Sequence, residues 1–226
     1  MEAWITLFQH YWPDFVKGAG VTLELTFGGL LIGFALGLFL ALGKVYGRKS
    51  VQTLCTAYIE LFRGTPLLVQ LFLIYYGLPS MGVTLDQSTA AFAALGLNSA
   101  AYQAEYLRGA IVSIGESQMM AGRAIGLSKW QTILQVILPQ ALRLALPAWS
   151  NEPISLLKTT GVVFLIAVQD LMAKGKRAAA LSYNPIGAYM AVAVVYLALV
   201  FLLTIILKRV EKTVRIPGFE METKGH

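Results

Sequence analysis

One cysteine, Cys55, and two histidines, His10 and His226, are all that the 226-residue chain holds of the side chains that most often cross-link or bind transition metals. A disulfide framework, a zinc knuckle and a histidine-rich metal centre are excluded, and no thiol or imidazole chemistry is indicated. Charge is scarce as well: Asp, Glu, Lys and Arg make up 13% of the chain, roughly half the share of an ordinary soluble domain. Hydrophobic residues make up 57%. They are gathered in blocks too long for a core of this size to enclose behind a polar shell, and the bilayer is the solvent they fit. The net charge of +6 would suit a nucleic acid, but the basic residues stand at the edges of the apolar blocks rather than in one patch. They read as topology signals, with no nucleic-acid partner. There is no HExxH, no Gly-x-Ser-x-Gly elbow and no histidine within an apolar span, so a membrane enzyme has no support. No catalytic residue and no metal ligand is assigned.

A transmembrane helix needs about 20 apolar residues at about 1.5 Å each, and residues 19–43 supply them with one acid, Glu24. No basic leader precedes this block and no small-residue cleavage site follows, so it reads as a permanent span. The opening WITLFQHYW at residues 4–12, with Trp4 and Trp12, suits an interfacial helix over about 3–14. Further spans are expected at about 53–78, 88–114, 144–172 and 186–207. The second is interrupted by Glu60-Leu-Phe-Arg63-Gly64-Thr65-Pro66, and the third is rich in the small residues that allow close helix packing. The fourth holds Pro147, Glu152 and Pro153 and should be bent. Residues 115–143 are too polar to span and show helical periodicity on both sides of Gly126, which predicts two short helices joined at that glycine. The expected fold is an all-α integral membrane protein of about five transmembrane helices with one cytoplasmic loop.

Basic residues set the orientation. With the C-terminus inside, Lys44, Arg48, Lys49, Arg123, Lys129, Arg143, Lys208, Arg209, Lys212, Arg215 and Lys224 are cytoplasmic, against Lys17, Lys174, Lys176 and Arg177 outside. The positive-inside rule then predicts an external N-terminus and a cytoplasmic C-terminus, with AKGKR at 173–177 as the misfit. Either the rule is overridden there or the fourth block ends elsewhere.

An ionisable side chain within a membrane costs about 2.5–3.5 kcal/mol on insertion scales and should have a partner or a polar cavity. Glu60 and Arg63, and again Glu105 and Arg108, are spaced i, i+3 on one helix face. The bland reading of each is a structural ion pair; for the first, beside Gly64, Thr65 and Pro66, the functional one is a gate. Glu152 has no basic residue at i±3 or i±4 and forms a polar stripe with Ser155 and Thr159. An interhelical hydrogen bond and a cavity lining compete for that stripe, and the cavity is favoured. Lys158, on another face, is expected to snorkel outward. The stretch around Gly126 reads equally as a projection for a partner's groove or as an interfacial helix pair.

Three segments carry a resemblance: GVTLELT at 20–26, YIELFRGTPLLVQLFLIYYGLP at 58–79 and MMAGRAIGLSKWQTILQVILPQALRLALPAWSNE at 119–152. Together they resemble the permease subunits of bacterial ATP-binding cassette importers, in the polar amino acid branch that includes histidine, arginine, glutamine and opine systems. The resemblance implies the type I importer fold and a bacterial inner-membrane location. It also implies an amino acid or opine substrate and alternating access without chemistry in this chain. The implied partners are an ATP-binding cassette ATPase dimer that carries ATP and Mg, a second permease chain, the same or homologous, an extracytoplasmic binding protein, and membrane lipid. No cofactor is implied in this chain. The third segment resembles the family's coupling loop, here Met119, Met120, Ala121, Gly122, Arg123, Gly126, Leu127, Leu138 and Pro139. It departs at Met120, where the family has glutamate, and at Gly122, where it has alanine. The missing acid implies one salt bridge fewer with the ATPase, which a heterodimer with a standard-loop partner would offset. Asn151-Glu152 resembles the family's pocket-lining pair, with Ser155 and Thr159 beside it. Basic-substrate relatives often carry an acid after the lysine; here Thr159 follows Lys158, which weakens a cationic substrate and leaves a neutral polar one open. The rival class is an ion- or proton-coupled carrier acting alone, with Glu60, Glu105 and Glu152 as a proton relay.

Overall fold

The computed structural model describes residues 2–214, which are mostly helical and contain no strand. The tail PGFEMETKGH at 217–226, with Arg215 and Lys224, lies outside the described residues. Helix α1 (Glu2–Tyr46) is one continuous helix of 45 residues, roughly 67 Å at 1.5 Å per residue. The expected interfacial segment 3–14 is therefore not set off by a break, and Pro13 sits inside the helix.

Among the described residues, two helices are each long and apolar enough to cross a bilayer, His10–Tyr46 within α1 and Pro185–Val214, which is α9. The expected span 53–78 is instead two pieces, Lys49–Gly64 (α2) and Leu67–Met81, bent by 105°. Pro66 is the cause: its ring drives the preceding residue out of the helical region, and Thr65 is extended at φ −120, ψ 145. The second piece opens with α3 (Leu67–Phe72) and widens into a π turn, Leu73–Gly77, two residues before Pro79. A second π turn, Ile133–Ile137, precedes Pro139 by the same two residues. Proline has no N–H and clashes with the carbonyl four residues back, so a widened turn ahead of each Leu-Pro relieves the same conflict.

Helix α4 (Gln87–Ala124) starts on Asp86, which accepts from the backbone N–H of Ser88 at 3.0 Å and of Thr89 at 3.1 Å. The Thr89 hydroxyl and these amides hold the Asp86 carboxyl below its usual range. Beyond the hairpin around Gly126 come α5 (Lys129–Thr132), the π turn and α6 (Leu138–Trp149). Helix α7 (Asn151–Thr159) continues as a tight 3-10 stretch, Thr160–Ile166. The bend expected in the fourth block falls after residue 166, where α8 (Leu171–Ser182) departs at 56°. The AKGKR cluster thus lies in α8, beyond that bend.

Helix α1 is the post on which the rest is hung, through three apolar clusters along its length. Phe15 and Ala19 pack with α8 and α9, Leu25 and Leu30 with α3, α4 and α7, and Ala41 with α4 and α6. Gly29, Gly33 and Gly37 fall on one face of α1 and admit α4 closely. A Cβ at Gly37 would lie 3.0 Å from the Ala100 carbonyl oxygen and 3.1 Å from the Ala104 nitrogen, so the two backbones nearly touch.

Candidate functional site

The break before Pro66 creates a polar need. Pro66 cannot donate to the carbonyl of Phe62, four residues back. Gln70 Nε2 donates to that oxygen at 2.9 Å and to the Thr65 carbonyl at 3.0 Å, while Asn98 Nδ2 reaches the Phe62 oxygen from α4 at 3.2 Å. Asn98 also donates to Gln70 Oε1 at 3.0 Å, so the break is stitched to α4. The loop Gly64-Thr65-Pro66 is thereby held open as one rim of a cavity of about 440 Å³. Its walls are Arg63 to Leu67, then Asn98, Tyr102 and Tyr106 of α4, then Glu152, Ser155, Leu156 and Thr159 of α7.

Glu152 is the buried acid of this cavity, 4% exposed. Its Oε1 accepts from the Ser99 hydroxyl at 2.7 Å. Gln103 Nε2 donates to Ser99 Oγ at 3.0 Å and to the Leu30 carbonyl at 3.1 Å, and Trp149 Nε1 donates to Gln103 Oε1 at 2.7 Å. This relay from α6 through α4 holds the carboxyl group by hydrogen bonds and not by an ion pair. It fits because Gly33 has no side chain: a Cβ there would lie 2.6 Å from Gln103 Nε2. On the facing wall the Arg63 guanidinium lies 5.5 Å from the centroid of the Tyr102 ring. Among the described residues the ion pairs are Lys44–Glu105 at 2.8 Å and Arg108–Glu105 at 2.9 Å. The expected Glu60–Arg63 pair is therefore absent: Arg63 turns to Tyr102 and the cavity, while Glu60 is exposed. The cavity thus presents one basic and one acidic side chain that do not pair with each other.

Several expected residues meet here. Arg63, Gly64, Thr65, Pro66, Glu152, Ser155 and Thr159 all line the cavity; Asn151 does not, and is exposed. Glu105 stands elsewhere, bidentate with Arg108 and joined by Lys44 from α1. Glu60, Glu105 and Glu152 therefore share no cavity. Lys158 is exposed. Sequence reasoning missed Asn98, Tyr102 and Tyr106, although their four-residue spacing puts them on one helix face. It also missed Gln70 and the Ser99–Gln103 pair behind Glu152.

The hairpin has its own logic. Gly115, at φ 78 and ψ 171, divides α4 into the long helix before it and a short one, Glu116–Ala124, which carries Met119 to Arg123. The short helix ends in a Schellman motif: Gly126 N–H donates to the Arg123 carbonyl at 3.1 Å and Leu127 N–H to that of Gly122 at 3.1 Å, with Gly126 at φ 89. Ser128 and Gln131 then form a capping box that starts α5. Lys129 Nζ donates to the Tyr46 carbonyl at 3.2 Å, tying the hairpin to the end of α1. Met120 is 65% exposed. Gly122 is buried, and a Cβ there would lie 2.4 Å from the Thr132 methyl carbon. Gly122→Ala is accordingly expected to lower stability by about 1–3 kcal/mol through overpacking, and Gly122→Ala with Thr132→Ala to recover most of it. Thermal unfolding of the purified protein checks this; equal melting of Gly122→Ala and the wild type would contradict the packing.

Comparison with known proteins brings these features together. The profile of a family described as binding-protein-dependent transport system inner membrane component matches residues 33–216. The glutamine transport system permease protein GlnP of Escherichia coli (strain K12) is 37% identical over 206 residues, covering 90% of this chain and 94% of GlnP. The L-cystine transport system permease protein TcyB of Bacillus subtilis (strain 168) is 36% identical over 210 residues, covering 92% and 90%. A crystal structure of an amino acid ABC transporter with histidines superposes with a TM-score of 0.83 at 36% identity, covering 91% of this chain and 96% of that one.

Proposed function

The chain belongs to the family of binding-protein-dependent transport system inner membrane components, and from that premise we propose that it moves a polar α-amino acid as its zwitterion, held between Arg63 and Glu152. It is a permease subunit of an amino acid ABC importer, a transport component with the ATPase in a separate subunit. An ATPase and a substrate-binding protein are the partners that membership in this family implies. The observation that carries the substrate reading is one basic and one acidic side chain, unpaired with each other, facing one cavity. A cavity of that size falls in the range of small-ligand pockets. The Arg63 fork suits an α-carboxylate, the fixed Glu152 carboxylate suits an α-ammonium, and Ser155, Thr159 and Asn98 are left for the side chain. One cation against one anion matches a net-neutral solute, and GlnP and TcyB are named for two such amino acids.

The rest of the assembly follows the same reading. The two long helices, the two bent pairs and α4 make five crossings, with the N-terminus outside. The contact between Lys129 and the end of α1 supports this, because it sets the hairpin and the basic Lys44 to Lys49 segment on one side. The helix 116–124 and the turn at Gly126 dock on a dimeric ATPase that holds ATP and Mg, and a second permease chain, identical or homologous, completes the pathway. ATPase closure then moves the hairpin, and α4 and α6 carry that motion to both walls of the cavity, which must hold substrate better in one state than in the other.

The test is ATPase stimulation of the reconstituted complex by glutamine, cystine, histidine, arginine and an opine, wild type against Glu152→Gln. Neutral zwitterions are expected to stimulate, and the substitution to weaken that response by about tenfold or more with basal hydrolysis intact. An unchanged response removes Glu152 from the site.

A further inference from the structure

Trp149, Gln103, Ser99 and Glu152 form a one-way chain of hydrogen bonds, and only its last member lines the cavity. The direction is forced from outside the chain. The Trp149 indole can only donate and the Leu30 carbonyl can only accept. Gln103 lies between them, 0% exposed, so its Oε1 turns to Trp149 and its Nε2 to Leu30 and to Ser99 Oγ. The Ser99 oxygen thus accepts an N–H, and its own proton goes to Glu152 Oε1. Among the described residues Glu152 Oε2 makes no hydrogen bond, which leaves it for the cavity.

The same bonds clasp two helices. Ser150 keeps helical angles, φ −57 and ψ −19, so α6 runs on into α7 and Trp149 and Glu152 stand three residues apart on one face. Gln103 and Ser99 stand four apart on one face of α4. Trp149 meets Gln103 and Glu152 meets Ser99, two rungs joined along α4 by the Gln103–Ser99 bond. Adhesion does not require them, because Ala141 and Ala145 of α6 already pack in one apolar cluster with Leu107 and Ile111 of α4. A buried hydrogen bond adds little net strength but is costly to leave unmade, so the rungs fix where the helices stand against each other. A displacement of α6 draws the indole N–H away from Gln103 Oε1. The amide then follows it, giving up Leu30 and Ser99, or keeps a buried oxygen unpaired. Once the amide follows, the Ser99 hydroxyl is free to turn to the carbonyl four residues back, as that of Ser150 does, and Glu152 loses its donor.

We propose that Trp149, Gln103 and Ser99 are positioning residues through which α6, the helix that leaves the hairpin, sets the Glu152 carboxyl. While the indole holds Gln103, the carboxyl is kept against α4 with Oε2 free; when α6 is displaced during the transport cycle, the chain opens and releases it. None of the three lines the cavity, so their effect on a solute passes through Glu152. The consequence for substrate binding rests on the cavity reading above; the state-dependent bond to Glu152 does not.

The experiment compares the full complex, with its ATPase and second permease chain in nanodiscs, between the nucleotide-free and vanadate-trapped states by infrared difference spectroscopy. The Glu152 carboxyl bands are identified by their loss in Glu152→Gln. They are expected to shift between states in the wild type, and to lose that shift in Trp149→Phe and in Ser99→Ala. Ser150→Ala is the control, because its hydroxyl donates to the Leu146 carbonyl at 2.8 Å, outside the chain, and the shift should persist. Bands that stay put in the wild type, or that still move in Trp149→Phe or Ser99→Ala, overturn the proposal. Ser99→Ala, which removes one hydroxyl, decides alone if Trp149→Phe fails to assemble. No solute is present, so this arm decides whichever amino acid the cavity takes. With glutamine as the probe, each variant is expected to raise the concentration for half-maximal ATPase stimulation about fivefold. Trp149→Phe should add less than about twofold to Ser99→Ala, and either less than about twofold to Glu152→Gln, since all act through one carboxyl. Multiplying effects in these combinations overturn the proposal. An unchanged glutamine response in Glu152→Gln together with state-dependent bands would sink the cavity reading and spare the positioning chain.

Discussion

Arg63→Met is expected to raise the substrate concentration for half-maximal uptake by roughly 30-fold, the equivalent of about 2 kcal/mol, while the complex still assembles. The side chain is exposed at the cavity rim, makes no ion pair and rests on Tyr102, so its removal leaves no buried acid stranded. What is lost is the fork that would meet a carboxylate. Arg63→Lys separates charge from geometry: a lysine keeps the cation but not the planar bidentate fork or the stacking on Tyr102, and should recover only part of the affinity. Uptake of radiolabelled glutamine into proteoliposomes, over a concentration series, reads both variants. If Arg63→Met and the wild type saturate together, the guanidinium does not touch the solute and the zwitterion reading loses its cationic half.

Gly115→Ala should be the most damaging change that alters no contact. At φ 78, ψ 171 the backbone occupies a region open in practice to glycine alone, and a side chain there costs about 1–3 kcal/mol. A Cβ at Gly115 would meet only Ser117 Oγ at 3.9 Å, so crowding plays no part. The cheapest relief is to restore helical angles, which straightens α4 and re-aims residues 116–124 away from the end of α1. ATP-driven uptake is expected to fall by about tenfold or more, with half-saturation for substrate unchanged because the cavity lies before the kink. Gly109→Ala is the control: it lies within the helix, its Cβ would meet nothing within 4 Å, and alanine favours the helix. Normal uptake in Gly115→Ala would show that the kink is not needed to aim the hairpin.

The legible parts of this protein were those written in local chemistry. Apolar block length marked the two long apolar helices, His10–Tyr46 and Pro185–Val214; Gly126 and the Leu-Pro at 138–139 marked the hairpin, and an acid without a local partner marked Glu152. What escaped was decided by partners distant in the chain. Glu60 and Arg63 have pairing distance on an ideal helix, yet Tyr102, 39 positions beyond Arg63, takes the guanidinium. Glu105 gained Lys44, 61 residues away. The departure at Gly122 is unexplained along the chain and plain in space, where Thr132 occupies the volume of a methyl group.

By itself the order of residues determined the solvent, because so many apolar side chains in such long runs cannot be hidden from water by so few charges. It also marked two of the places where helices stop, at Pro66 and Gly126, because proline without an N–H and glycine without a Cβ act within four residues of themselves. Only the tertiary structure decided which polar groups meet. Whether Glu152 stands alone, is relayed through Ser99 and Gln103, or faces Arg63 depends on how closely α1, α4 and α7 approach. That approach is set by glycines and alanines whose effect is the absence of a side chain on one helix where another must pass.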